Sequence, residues 1–319
     1  MERVNLGKTE IKVSRICLGT WAWGGDKWWG RQQDRDSEEA FEAALARGIN
    51  FIDTAPVYGF GRAEKILGRL LRQKRENVVL ATKVGLRWQG GKITINLKRQ
   101  SMQEELAMSL QRLNTDYIDL YQVHWPDKDT PLEETAAVMG EFYERGVIKA
   151  VGVSNFSLSQ MEEFMKYCPL HCLQPPYNMF RRDIEEDIIP FCRTHNIAMI
   201  TYASLESGIL SGKFFFGLPL PNDLNRRRNP NLKPPLFTIN KKYIKKLKEV
   251  ISDYPVSLAQ LAIAWILHQA GITSAIVGCR NAYQARENSM AADVSLPSST
   301  WEKIEKILQQ RTREISLLA

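Results

Sequence analysis

The chain has 319 residues, 44% hydrophobic and 25% charged, enough apolar material for one large core or two of ordinary size. Its five scattered cysteines argue against a disulfide framework. The net charge of +7 does not by itself indicate nucleic acid, because Lys241, Lys242, Lys245, Lys246 and Lys248 alternate with Ile244, Leu247 and Ile251 at helical spacing; it equally suits a phosphate-bearing ligand.

Met1 to Arg15 mixes charges of both signs, and the apolar run Ile16 to Leu18 is too short for a signal peptide. A cytoplasmic location is therefore expected. "VNLGKTEIKVS" predicts a short hairpin turning at Gly7-Lys8. Eight strand-like runs then end in polar or catalytic types: "RICLGTW", "INFIDTA", "VVLATKV", "YIDLYQVH", "AVGVSN", "CLQPPYN", "AMITYASL" and "SAIVGC". Amphipathic stretches lie between them, with Leu106, Leu110 and Leu113, then Leu158, Met161 and Met165, then Leu258, Leu261 and Trp265 on single faces. "SEEA" from Ser37 offers an N-cap, "TPLEE" from Thr130 puts Pro131 at the first helical position, and Gly48, Gly146 and Gly271 stand where helices end. The run Leu261 to Gly278 is broken by His268, Gln269 and Gly271, so it divides into a helix and a strand, and no membrane segment is expected. Ser298 to Arg313 predicts an extra C-terminal helix.

Eight βα units in a chain of this length predict an α/β fold, a (β/α)₈ TIM barrel, as one domain over residues 1–319. The competing doubly wound sheet needs G-x-G-x-x-G after an early strand, but "GFGRAE" from Gly59 has Glu64 in place of the third glycine. "GILSGKF" from Gly208 is one residue short of a phosphate loop and has Phe214 where Ser or Thr would hold Mg²⁺. Cys168, His171 and Cys172 lie close together, but Pro169 interrupts them and no second Cys/His pair sits at ligand spacing, so no metal is expected.

In such a barrel the chemistry collects where strands end. Asp53, Lys83 and His124 close the second, third and fourth runs and Tyr58 follows just after the second, so the four would converge on one mouth. An unperturbed phenol has a pKa of about 10 and gives up its proton slowly at neutral pH. An ammonium beside it stabilises the phenolate and is expected to lower that value, while a carboxylate keeps the ammonium charged. A histidine can donate to an oxygen on which negative charge grows. Singly, Asp53 reads equally as a loop cap, Tyr58 as a pocket aromatic, Lys83 as a surface charge and His124 as a structural histidine.

"FIDTAPVYG", "ATKVG", "DYIDLYQVHWP", "GVSNF", "LQPPYN" and "GILSGK" resemble the signatures of the aldo-keto reductases, in that family's order and spacing. Within it the chain is similar to the bacterial-type group that includes potassium-channel beta-subunit-like and general stress protein-like reductases. The resemblance runs from about Arg3 to the helix after Asn288 and implies a barrel that uses a nicotinamide cofactor without a dinucleotide-binding sheet. Its catalytic tetrad falls on Asp53, Tyr58, Lys83 and His124. It implies that Gly19, Thr20 and Trp21 lie near the nicotinamide and pyrophosphate, that Ser154, Asn155 and Gln174 hold the carboxamide, and that Tyr202 stacks beneath the ring. The stretch Ala203, Ser204, Leu205, Ser207, Gly208, Leu210 and Lys213, with the irregular segment to Pro235, resembles the loop that closes over the pyrophosphate. "VGCRNAYQARENS", from Val277 and including Gly278, resembles the adenosine-phosphate signature, where Arg280 would pair with a 2′-phosphate, Gln284 would support it, and Glu287 and Asn288 would contact adenine. Arg280 points to NADPH over NADH.

"YASLESG" departs from the usual Ser-Pro-Leu-Gly pattern: Ala203 offers no hydroxyl and Glu206 would repel phosphate unless turned away. Trp23, Trp28, Trp29 and Trp88 read either as an apolar substrate wall or as rim packing. The function expected is NADPH-dependent reduction of a small-molecule carbonyl, aldehyde or ketone, to an alcohol, with Tyr58 as the acid. Alternatives are a nicotinamide-binding regulatory subunit with little turnover, and an aldolase using Lys83 as a Schiff base. No oligomeric state is specified.

Overall fold

In the computed structural model, which describes residues 1–318, the expected hairpin is present. Strands β1 (Arg3–Asn5) and β2 (Lys12–Ser14) pair antiparallel with Val4 opposite Val13. Gly7 between them has φ +57°, and a Cβ there would meet His171 O at 2.6 Å and Asn196 O at 2.8 Å, so only glycine fits. That close approach seats the hairpin across the N-terminal ends of the later strands and buries Leu6 and Val13 completely.

The strands that follow are β3 (Ile16–Gly19), β4 (Phe51–Asp53), β5 (Val79–Val84), β6 (Leu86–Gln89), β7 (Lys92–Ile95), β8 (Leu120–Val123), β9 (Val151–Ser154), β10 (Cys172–Gln174), β11 (Ala198–Thr201) and β12 (Ser274–Gly278). All but β6 and β7 close into an eight-stranded parallel barrel, with β12 returning onto β3. The eight runs picked from sequence are these eight strands.

The period of two along each strand decides what faces inward. Phe51, Ala81, Leu120 and Cys172 point to the interior cluster, whereas Ile52, Leu80, Tyr121 and Leu173 join the layer packed under the helices. Two residues on from each inward position come Asp53, Lys83, Gln122 and Gln174, so one polar layer sits directly above the apolar plug. Their register is fixed by the pairings Gly19 with Asp53, Lys83 with Gln122, and Gln174 with Ser154. Gly152 makes room in this layer, since a Cβ would come within 2.8 Å of Gln122 Cγ.

Around the barrel run α1 (Asp34–Ala46), α2 (Arg62–Leu71), α3 (Arg99–Leu113), α4 (Leu132–Glu144), α5 (Leu158–Phe164), α6 (Ile188–Thr194), α7 (Leu224–Arg228), α8 (Leu236–Val250), α9 (Leu258–His268), α10 (Ala282–Ser289) and α11 (Ser298–Ser316). Ser37 is not the cap expected for α1: the helix starts three residues earlier, with Asp34 and Asp36 at its positive end, and buried Ser37 accepts from Gln32 Nε2 at 3.1 Å. Pro131 stands one position before the first helical residue of α4. The lysine-rich segment is α8, with Ile244 and Leu247 buried and Lys241, Lys245 and Lys248 exposed. Among the described residues no helix is long and apolar enough to cross a membrane. His171 is a buried backbone partner: its Nδ1 accepts the Val151 N–H at 3.1 Å, and burial pushes its pKa down to about 4.

Two features lay outside the sequence reading. The antiparallel pair β6–β7 turns at Gly90 and Gly91, whose φ values of +55° and +78° suit a two-residue hairpin turn. The segment expected to be irregular contains α7, capped by Asp223 through the Arg226 N–H.

Candidate active site

Lys83 and Asp53 are essentially buried and face each other within the barrel. The ammonium donates to Asp53 Oδ1 at 2.8 Å and Oδ2 at 2.7 Å, to the Thr54 carbonyl at 2.9 Å and to the Tyr58 hydroxyl at 3.3 Å. Burial pulls the lysine down, but the Asp53 carboxylate and the Tyr58 oxygen outweigh it and hold the lysine above its ordinary value. The cation is thus fixed beside the phenol.

Tyr58 is gripped between Trp21, stacked at 5.8 Å and 23°, and His124, edge-on at 6.1 Å. Here one sequence expectation is corrected. Burial pushes the phenol up to about 12, and Lys83, pulling the other way, limits the rise without producing a net fall. Tyr58 therefore keeps its proton throughout the neutral range.

His124 is driven well below its usual value by burial and by the Lys83 charge, so its ring is neutral. Its Nδ1 is buried without a hydrogen-bond partner among the described residues. An orphaned lone pair is tolerated more readily than an orphaned N–H, which places the ring proton on Nε2, leaving that atom as the donor.

Beside the tetrad, Ser154 Oγ donates to the Gln174 carbonyl at 2.8 Å, and Asn155 Nδ2 donates to Ser154 Oγ and the His124 carbonyl, both at 3.0 Å. Tyr202 donates its hydroxyl to Asn155 Oδ1 at 2.8 Å. Gln174 Nε2 donates to Asp53 Oδ1 at 2.9 Å and to Gln122 Oε1 at 3.1 Å, and Gln122 Nε2 reaches Asp53 Oδ1 at 3.3 Å. With its N–H₂ group so engaged, Gln174 has Oε1 left to face outward. Gln122 is missing from the sequence reading, although the strand alternation in "LYQVH" put it inward. Thr20 closes the floor by donating Oγ1 to the Asp53 carbonyl at 3.0 Å.

Past β11 the backbone takes left-handed conformations at Ala203, Glu206 and Ser207, with φ of +61°, +45° and +57°. The Glu206 carboxylate is held by three asparagines: its Oε2 accepts from Asn178 Nδ2 at 2.8 Å, and its Oε1 accepts from Asn229 Nδ2 at 2.9 Å and Asn231 Nδ2 at 3.1 Å. Ser204 donates to the Ile276 carbonyl at 2.8 Å, and Leu205 and Leu210 pack into the core. Gly208 lies against Lys213, where a Cβ would meet Cε at 3.2 Å. Burial depresses the Lys213 pKa, and the neighbouring charges of Arg226 and Arg280 depress it further. Arg226 of α7, absent from the sequence reading, donates to the Ser207 carbonyl at 3.0 Å and lies over the Phe214 ring.

Beyond β12 and Gly278, Gln284 accepts the Arg280 N–H at 2.9 Å, buried Asn288 donates to Cys279 Sγ at 3.4 Å, and the Glu287 carbonyl accepts from Gln260. The four tryptophans divide. Trp23 is fully buried with its N–H on the Cys279 carbonyl at 2.8 Å, Trp28 sits under Arg228, Trp29 packs edge-on against Trp21 at 5.4 Å, and Trp88 lies 5.7 Å from Phe60.

The chain is 42% identical to the aldo-keto reductase YhdN of Bacillus subtilis, over 97% of this chain and 94% of that one. It is 35% identical to an NADH-specific methylglyoxal reductase of Escherichia coli, over 93% and 95%. Its structure superposes on that of the glycerol dehydrogenase AKR11B4 from Gluconobacter oxydans with a TM-score of 0.89, at 35% identity and covering 97% and 95% of the two chains. The profile of the Aldo/keto reductase family, whose members use a nicotinamide cofactor, matches residues 15–309, and the chain belongs to that family.

Proposed function

We propose that this chain reduces an aldehyde or ketone to an alcohol, taking hydride from a nicotinamide dinucleotide, NADPH in preference to NADH, with Tyr58 as the proton donor. The observation that carries the reading is the Lys83 ammonium, tied to Asp53 and 3.3 Å from the Tyr58 hydroxyl. The residues suit such a cofactor. Gln174 Oε1 offers an acceptor to an amide with the Ser154 and Asn155 side chains beside it, Tyr202 adds an aromatic face, and the charges of Arg226 and Arg280 bear on Lys213, which an anionic phosphate would relieve. Bound there, the reduced nicotinamide supplies the hydride.

The chain's own groups manage the proton. His124 Nε2 donates to the carbonyl oxygen and polarises it. As negative charge builds on that oxygen, Tyr58 transfers its hydroxyl proton, and Lys83 stabilises the phenolate left behind. A phenol near 12 remains a stronger acid than an alcohol, so the transfer runs downhill. Trp21, Trp29 and Tyr58 wall the mouth with aromatic surface and keep water from the reacting oxygen.

The test is cofactor oxidation, followed by loss of reduced-nicotinamide absorbance with 4-nitrobenzaldehyde or methylglyoxal, comparing the wild type with Tyr58→Phe. Steady turnover lost in the variant is the expected result; equal rates would remove Tyr58 from its role.

A further inference from the structure

Arg280 does not stand free. Its Nε donates to Gln32 Oε1 at 2.9 Å, its Nη1 to the Trp29 carbonyl at 3.0 Å and its Nη2 to the Arg31 carbonyl. Gln32 answers by donating Nε2 to the Arg280 carbonyl at 2.7 Å. Each of the three guanidinium nitrogens therefore has a partner in the loop between β3 and α1. A phosphate held by an arginine takes two parallel donors, and on the Nε–Nη2 edge both are already spent on Gln32 Oε1 and the Arg31 carbonyl, so a phosphate that grips that edge displaces them.

The same loop reaches the mouth of the barrel. Trp29, whose carbonyl Arg280 holds, packs edge-on against Trp21, and Trp21 stacks on Tyr58. The Trp29 indole N–H has no partner among the described residues, so the ring is held by packing and by the backbone clamp. On its other side the loop is laced to the segment over the pyrophosphate region, where Leu224 N donates to the Lys27 carbonyl at 3.0 Å and Asn225 N to the Trp28 carbonyl at 3.3 Å.

We propose that the Trp29 and Arg31 carbonyls and the Gln32 amide compete with the cofactor's 2′-phosphate for Arg280, so that this first loop sets how far the chain prefers NADPH over NADH. The inference rests on the cofactor reading above and deepens it. When the 2′-phosphate takes Arg280, the loop is released and the aromatic wall beside Tyr58 loosens. When the phosphate is absent, Arg280 keeps the wall in place, so NADH meets a better-ordered substrate mouth than NADPH does.

The test uses the cofactor-free protein with 2′,5′-ADP and 5′-AMP as probes. Amide hydrogen exchange over residues 26–32 should accelerate several-fold with saturating 2′,5′-ADP and stay unchanged with 5′-AMP. Gln32→Met, which removes one acceptor from the Arg280 Nε, should tighten 2′,5′-ADP binding about threefold to tenfold in calorimetry, the range one hydrogen bond covers, without tightening 5′-AMP. Unchanged or slowed exchange with 2′,5′-ADP overturns the proposal, as does unchanged affinity in a folded Gln32→Met protein or a failure of 2′,5′-ADP to bind. Absence of carbonyl turnover would instead remove the reductase reading and leave the exchange result standing.

Discussion

Gln174 and Asp53 are joined across the barrel by a 2.9 Å hydrogen bond, which couples the amide proposed to read the cofactor to the carboxylate that holds Lys83. Gln122 completes the triangle, accepting from Gln174 and donating to Asp53 from a fully buried position. It fixes which end of the Gln174 amide faces outward. Gln122→Met keeps the volume and removes both contacts. The predicted result is a rise in cofactor Kd of roughly fivefold to tenfold, the scale of one buried hydrogen bond, with a smaller change in the carbonyl KM. A purely structural role would lower Tm and leave the two constants in their original ratio.

Tyr58→Phe keeps the stack on Trp21 and deletes the proton. Reduction should fall by about 10²- to 10⁴-fold, the range for a lost general acid, while cofactor binding measured by fluorescence stays within a few-fold of the wild type.

The pH dependence should differ between directions. A group near 12 stays protonated below that pH, so the reduction rate should be flat across the neutral range. Alcohol oxidation needs the phenolate, whose fraction grows about tenfold per pH unit below the pKa, so its kcat/KM should climb with that slope through pH 7 to 9. A flat oxidation profile would mean that another group accepts the proton.

Glu105, on α3, is a separate buried acid. Burial pushes it up to about 7, against the Gly85 N–H that its carboxylate accepts at 3.2 Å. A carboxyl whose folded pKa is raised contributes stability that is fully present below its unfolded value near 4.5, and loses it as pH rises through about 7. Glu105→Gln does not titrate. The variant should gain on the wild type by up to roughly 3 kcal/mol at pH 8 in denaturant titrations, and the gain should shrink towards pH 5.

Much of the scaffold was legible because the strand period and the residue types at strand ends carry the information. Asp53, Lys83 and His124 could be placed at one mouth from the order of the strands alone. What escaped has physical causes. Gln122 sat in plain sight, but an inward glutamine among apolar neighbours gains meaning only when Gly152 and Asp53 surround it. The direction of the Tyr58 shift failed because a sequence gives the neighbouring charge and not the depth of burial, and burial proved the larger influence. Arg226 and the Arg280 contacts depend on how two long loops lie against each other, which no local pattern encodes. The β6–β7 hairpin did have its signal in Gly90-Gly91.

Proton transfer from Tyr58 depends on the Lys83 charge beside it, and Lys83→Met tests that dependence most directly. Single-turnover reduction by the folded variant, with cofactor and carbonyl saturating, should be slowed by about 10²-fold or more, and the ultraviolet titration of Tyr58 should move above the wild-type value. Single-turnover rates within twofold of wild type, with the Tyr58 titration unmoved, would contradict it.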